Sequence, residues 1–570
     1  MKNLFKKVSA ILMAAIMVFA MAASVFAESG TMATTHPSEN DKATLTITGI
    51  ATDDSPTVTL YKIAKGKYSE KGFTGYETVT GVNLADLENP TEASVNTIAK
   101  AILDGDITPM EVIADGTISD GTYKKEVTGA GAYIAIITGA TSTVYNPILL
   151  GVSYDKDSII TTGTVDATDV YASSAVAKST KPHIDKTITG GTTTDGEKAT
   201  VSVGDVVDYN IAVTAPSYPS NATNKTFFVA DTMSSGLTFD FASLEVKTDA
   251  DDVTVTRTDD KDNGIAIFKI GDTVIARAKV DGNGFNLSFM YDNLIQNKET
   301  GALYNVSVEY SALVNDLAVV GTAGNKNDAK LYYANNPFGG STHDTPDSKP
   351  DNAEGVTSNG SDKTVYTYQI ALKKVAAEDE EKVLSGAVFG IYSDKKCENL
   401  VDEITTNENG FAVSTAVAKG TYYVKELKAP TGYTLSEQII PVDAQWTTAT
   451  TTVDGTVTRT TYTTEANESV DGKQVGWIKD GKFYKEKVTD SKPAYVLATS
   501  ETSSTSVTNV VENGAGTVPT LVKTPVKDTK LGTLPSTGGM GTYLFTIIGV
   551  VVMAGAAGAF FMSRRRGSEE

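Results

Sequence analysis

The chain has 570 residues, with 70 Asp and Glu against 49 Lys and Arg and a formal net charge of -21. So acidic a balance excludes nucleic acid as a partner, because phosphate binding needs clustered Lys and Arg. A single cysteine, Cys397, excludes any intrachain disulfide.

In chain order, Lys2, Lys6 and Lys7 precede the apolar run ILMAAIMVFAMAASVFA, which ends on the small residue Ala27. A basic start, an apolar middle and a small-residue exit predict a cleavable export signal over residues 1–27, with Glu28 as the mature start. The roughly 500 residues of the body are enough for about three domains. Period-2 alternation recurs in Val58 and Leu60, in Val207, Tyr209, Ile211 and Val213, in Phe285, Leu287 and Phe289, and in Tyr304, Val306, Val308 and Tyr310. With Gly, Asn and Asp turns between such runs, the pattern predicts an all-β chain of tandem sandwich domains. One short helical insertion interrupts it, where Val95, Ile98, Ala99 and Ile102 fall at helical spacing and Gly105 follows as a stop.

Composition divides the body into an N-terminal domain (28–177), a middle domain (178–345) and a third domain (360–513). The polar, Gly-, Pro- and Asp-rich stretch Pro337 to Asp362 is expected to be a linker or long loop. A Thr-rich insertion between Trp446 and Ser504 reads as a surface hairpin, and residues 514–533 read as a linker. The final segment, 534–570, opens on Leu534, Pro535, Ser536, Thr537 and Gly538. It continues with the apolar stretch Tyr543 to Met562 and ends with Arg564, Arg565 and Arg566. About 20 apolar residues span a bilayer as a transmembrane helix, with basic residues beyond it kept cytoplasmic.

Several other signals fail. His36, His183 and His343 are scattered, so no metal site is expected. The acidic turn Thr258 to Gly264 holds Lys261 and lacks the closing Glu of a calcium loop. There is no Gly-rich phosphate loop or nucleophile elbow, so neither a cofactor nor an enzyme is expected.

The ordered trio of LPSTG, apolar stretch and Arg tail resembles the cell-wall sorting signal of Gram-positive surface proteins. In that family a sortase cuts between the positions matching Thr537 and Gly538. The resemblance implies secretion, membrane residence only before sorting, and covalent attachment to peptidoglycan.

The third domain carries ALKKV (Ala371 to Val375), LSGAVFGIY (Leu384 to Tyr392), YYVKELKAPTGY (Tyr422 to Tyr433) and SVTNV (Ser506 to Val510). These resemble the immunoglobulin-like CnaB-type modules of pilins and adhesins. There a first-strand Lys joins a last-strand Asn by an isopeptide bond, promoted by the Glu of an E-box. The resemblance implies Lys374, Asn509 and Glu426 in these roles; Lys373 is the neighbour excluded, since successive strand residues face opposite ways. The middle domain carries IDKTI (Ile184 to Ile188), FFVADTMSSGLTF (Phe227 to Phe239) and NDAKLYY (Asn327 to Tyr333). It is similar to the isopeptide-forming CnaA/CnaB-type middle domain of Spa-type major pilins, where an Asp replaces the Glu. That implies Lys186, Asn327 and Asp231, with Asn325, on the same strand face, still open as the partner.

The chemistry accounts for the residue types. An amine attacks only when neutral, and burial lowers a lysine's pKa toward that form while raising that of a carboxyl. A protonated acid can then polarise the Asn amide, ammonia leaves, and the acid relays the protons. The implied pairs lie 141 positions (186 to 327) and 135 positions (374 to 509) apart. By analogy with disulfides, loops that long constrain the unfolded chain by about 5 kcal/mol. The N-terminal domain departs from the pattern: Lys62 lies on an early strand, but residues 131–154 hold no Glu, and Asn146 precedes Pro147. No isopeptide bond is expected there.

Major pilins also offer a lysine, in a Y-P-K-like motif before the middle domain, to the sorting-signal Thr of the next subunit. Here that stretch is ASSAVAKSTKPHIDK, in which Lys178 is chosen over Lys181 although the Tyr-Pro pair is missing. The whole chain thus resembles the major (backbone) pilins of sortase-assembled pili, Spa-type and FimA-like. The implied function is structural, the Thr537 carbonyl being joined to Lys178 of a neighbouring subunit in a covalent homopolymer built by a sortase. A wall-anchored adhesin or an ancillary pilin with a ligand-binding role is the alternative, although no D-x-S-x-S adhesion motif is present.

Overall fold

A computed structural model describes residues 37–531 except 71, 162–164, 166–168, 295–302, 322, 352–354, 446–459 and 498–524, and beyond them only Met553. The expected export signal, the sorting motif 534–538, Asn509 and the body of the expected transmembrane helix lie outside the described residues. Among the described residues no helix is long and apolar enough to cross a membrane. The chain divides into two compact units, residues 1–367 with 480–488, and residues 368–479 with 489–570.

The first unit holds two β-sandwiches. In the N-terminal one, Lys42–Thr48 pairs with Thr122–Thr128 on one side and, in parallel, with Ser174–Val176 on the other. The facing sheet is centred on Gly131–Thr138, flanked by Thr57–Ser69 and Ile148–Ser153. The expected helix is Glu92–Asp104. Thr91 caps it in a reciprocal capping box with Ser94, and Gly105, at φ 83°, ends it in the left-handed conformation that glycine adopts without a Cβ penalty. Ile98, Ala99 and Ile102 turn into the core, as their spacing requires. A second short helix, Leu84–Glu88, was not legible from periodicity; five residues give too few turns for one.

In the middle domain one sheet orders His183–Gly190, Val206–Thr214, Val306–Val314 and Leu237–Thr248. The other contains Val356–Tyr366, Asn325–Ala334, Phe227–Met233 and Gly284–Phe289 as consecutive neighbours. The strand Val356–Tyr366 corrects the reading of Pro337 to Asp362 as a linker or loop. Ten register pairs bind it to Asn325–Ala334, although its sequence is polar. Most of its side chains are at least partly exposed, so its membership rests on backbone pairing, which composition does not report.

The second unit is a smaller sandwich. One sheet orders Leu400–Thr405, Val388–Tyr392, Gly420–Lys428 and Ile439–Ala444. Opposite lies Ala371–Ala376, paired antiparallel with Phe411–Val413 and parallel with Val526–Asp528. The last strand corrects the reading of 514–533 as a linker, because Val526 is buried in the third-domain core and Asp528 beneath it. Three residues are too short for an alternation pattern to reveal. Within the Thr-rich insertion, Lys492–Val496 pairs with Tyr462–Thr463 and Gly476–Lys479, which is a small sheet and not a single hairpin.

Candidate cross-linking sites

The middle-domain site is assembled across its sandwich. Lys186 comes from the first strand of one sheet, Asp231 and Asn327 from adjacent strands of the other. Asp231 pairs with Ala329 and Met233 with Asn327, so the two site residues are diagonal neighbours on one inward face. Both are buried, as is Lys186 with no exposed surface. The Lys186 Nζ lies 2.5 Å from Asp231 Oδ2. It also sits 5.3 and 5.5 Å from the ring centroids of Tyr209 and Tyr310.

Burial pushes the Lys186 amine down to about 8, against the attraction of Asp231. Burial also pushes the Asp231 carboxyl up, against Lys186. Both shifts favour the neutral pair that attack on an amide requires. A buried ion pair is costly to desolvate, and conversion of the amine to an amide removes that cost.

Tyr310 is a site residue that sequence reasoning missed. Its hydroxyl donates to Asp231 Oδ2 at 2.8 Å and accepts from Asn327 Nδ2 at 3.1 Å. The remaining oxygens, Asp231 Oδ1 and Asn327 Oδ1, are buried without a hydrogen-bond partner. A proton on Asp231 supplies a donor where two acceptors are otherwise orphaned. The alternation of Tyr304 to Tyr310 was the available signal, since it turns Tyr310 inward.

Asn325 is also fully buried, but its amide is engaged elsewhere. Its Oδ1 accepts from the Val319 backbone N–H at 2.8 Å and its Nδ2 donates to the Val319 carbonyl at 3.1 Å. A Cβ at Gly236 would fall 2.1 Å from Asn325 Oδ1, so the glycine of the DTMSSGL segment makes room for this amide. Asn325 holds a loop, whereas the Asn327 amide meets the Tyr310 hydroxyl that also holds Asp231.

In the third domain, Lys374 is fully buried, whereas Lys373 is partly exposed with its Nζ 5.7 Å from the Phe411 ring centroid. Glu426 reaches Lys374 from the opposite sheet, Oε1 to Nζ 3.0 Å. Its Oε2 accepts from the Ser436 backbone N–H at 2.8 Å. Burial raises the Glu426 pKa against these two favourable contacts. The group nearest Lys374 is one that sequence reasoning did not name, the Asp528 carboxylate, at 2.5 Å from Oδ1 to Nζ.

Lys178 lies between the strands Ser174–Val176 and Ser179–Thr180, where the N-terminal sandwich ends. Its carbonyl accepts from the Asn146 N–H at 2.9 Å, and its Nζ is 3.8 Å from Glu92. Lys181 is ion-paired with Asp53. In the N-terminal sandwich, Lys62 pairs across strands with Glu111 and Tyr133 and is only partly buried.

Four family models match the chain. They are described as a T6 antigen Ig-like domain (residues 40–179), a Gram-positive pilin backbone subunit 2, Cna-B-like domain (203–337), a prealbumin-like fold domain (368–459) and an LPXTG cell wall anchor motif (526–569). The trypsin-resistant surface T6 protein of Streptococcus pyogenes serotype M6 is 41% identical over 539 residues, 93% of this chain and 96% of that protein. The solved structure of the T6 backbone pilin of serotype M6 S. pyogenes, described as modular and three-domain, is similar at a TM-score of 0.74. It is 39% identical, and the match covers 87% of this chain and all of that one. The chain belongs to the Gram-positive backbone pilins. It is a structural major pilin subunit, anchored to the cell wall through its LPXTG signal and carried on surface pili. Pilin-type isopeptide bonding is typical of this family, and sortase action is implied by the anchor.

Proposed function

We propose that a sortase joins the Thr537 carbonyl of one subunit to the Lys178 amine of the next, and that each subunit is stiffened by its own Lys–acyl amides. Support for the acceptor is its placement. The Lys178 backbone is tied to Asn146 where the N-terminal sandwich ends, and its side chain keeps 40% of its surface exposed. An acceptor must enter a sortase active site, so partial exposure on a fixed backbone suits it. The final subunit passes to peptidoglycan by the same acyl transfer.

The middle-domain bond is proposed between Lys186 and Asn327 with Asp231 as acid. The observation that carries it is a buried amine within ion-pair distance of a buried carboxyl, with one tyrosine hydroxyl bridging that carboxyl to the Asn327 amide. Each bond forms once, in the subunit's own core, so the chain is not an enzyme acting on a substrate. Boiled surface extracts resolved by denaturing gel test the polymer. A ladder of high-mass species is expected, and its persistence in Lys178→Ala would remove Lys178 from the role.

A further inference from the structure

We infer that the acyl partner of Lys374 is Asp528 and not Asn509, so that the third domain closes with a Lys–Asp amide. The inference rests on the proposed cross-linking of this domain and names its electrophile.

Three observations carry it. First, the backbone leaves no room for another strand beside Lys374. On one side Lys374 N–H donates to the Gly410 carbonyl at 2.7 Å, and its own carbonyl accepts from Leu384 N–H at 3.0 Å. On the other side Lys374, Val375 and Ala376 pair in parallel with Val526, Lys527 and Asp528. Ala377 N–H extends that ladder to the Asp528 carbonyl at 2.8 Å. Both edges are taken, and among the described residues the last strand of the sandwich is the one carrying Asp528. Its exit is pinned as well, since the Thr529 carbonyl accepts from Thr434 N–H at 3.0 Å and Leu531 N–H donates to the Gly432 carbonyl at 2.9 Å.

Second, the side chains point to one place. Val526 and Asp528 turn inward and Lys527 outward, so Asp528 shares the inward face of Lys374 as a diagonal neighbour. Its Oδ1 is 2.5 Å from Nζ, and its Oδ2 is buried with no hydrogen-bond partner.

Third, the charges do not balance without a proton. One buried amine faces two buried carboxyls, Glu426 and Asp528. Fully ionised, the trio would carry a net negative charge without water to solvate it, and burial pushes Glu426 toward its protonated form. That proton is what condensation needs, whereas a Lys–Glu pair beside an Asn amide would already be neutral.

The step balances. The neutral Lys374 amine attacks Cγ of the protonated Asp528 carboxyl, forming the N–Cγ bond. Glu426, protonated, gives its proton to the departing hydroxyl and takes one from the nitrogen. A Cγ–O bond breaks and one water leaves, with Glu426 restored as the acid. No oxidant, metal or energy source enters, and proximity on adjacent strands supplies the driving arrangement.

The test is peptide mapping of the full chain, digested after denaturation. Trypsin is expected to release residues 374–382 joined to residues 528–530, lighter than the two separate peptides by about 18 Da, one water. Asn509→Ala is expected to leave that species unchanged and Asp528→Ala to abolish it. Asp528→Asn is expected to retain the link with loss of about 17 Da, one ammonia, from the variant's own sequence mass. A linked peptide containing Asn509 would overturn the assignment while leaving the domain cross-linked. Unlinked peptides in the parent chain would overturn both the assignment and the cross-link.

Discussion

The Tyr310 hydroxyl donates to Asp231 Oδ2 across the middle sandwich at 2.8 Å, with neither residue more than marginally exposed. The same oxygen accepts from Asn327 Nδ2, so one hydroxyl orients both the acid and the amide to be attacked. Tyr310→Phe keeps the ring stacked on Tyr209 and removes only that oxygen. The variant is expected to fold and to form its middle-domain bond at least tenfold more slowly, the order of a misplaced catalytic group. Time-resolved intact mass after synthesis reads this directly; an unchanged rate would reduce Tyr310 to a packing residue.

Asn327→Ala is expected to leave the middle domain uncross-linked, and to lower its stability by about 5 kcal/mol if the disulfide loop model transfers to an amide. Asn325→Ala separates chemistry from packing, because it removes the amide bound to Val319 and leaves Asn327 in place. It should retain the mass deficit of the bond. Loss of the deficit in Asn325→Ala with retention in Asn327→Ala would reverse the two roles.

In Asn327→Ala the Lys186 amine stays free. Its pKa is about 8 in the fold against 10.5 as the ordinary value. Between these pH values the unfolded chain holds a proton that the folded chain lacks. Stability therefore rises with pH across that window as this penalty is relieved. Urea unfolding at pH 8 and pH 10, referenced to Asn327→Ala/Lys186→Met, isolates the lysine. A flat difference would mean that burial does not depress it.

How much of this was legible beforehand varied with the kind of signal. Alternation located the middle-domain strands and the resemblance supplied Lys186, but neither singled out Tyr310, and neither could separate Asn325 from Asn327, which share a face. What separates them is the Val319 loop and the space left by Gly236, both set by tertiary packing. The E-box resemblance located Glu426, and the strand ALKKV located Lys374. Asp528 escaped because its strand is three residues long and pairs in parallel with a segment about 150 positions away; neither composition nor period reports that pairing. The strand Val356–Tyr366 escaped because its polar composition reads as a loop, although backbone pairing with Asn325–Ala334 holds it in the sheet. The motif resemblance favoured backbone pilin over adhesin, and the similarity to the solved T6 backbone pilin over 87% of the chain supports that choice.

Placing the third-domain link at Asp528 has a mechanical consequence. Tension entering at Lys178 meets Lys186 after eight positions and leaves at Thr537, nine positions beyond Asp528. With both amides formed, residues 187–326 and 375–527 lie outside the covalent force path. A single chain pulled between positions 178 and 537 should show no unfolding of either sandwich. Asp528→Ala should add one event releasing about 150 residues, about 500 Å of extended chain. An unfolding event of that size in the parent chain would contradict the placement.

The most direct test of the self-closing design is the intact mass of the mature chain under denaturing conditions. One ammonia from Lys186–Asn327 and one water from Lys374–Asp528 predict a mass about 35 Da below that of the sequence. A mass equal to the sequence would contradict both bonds.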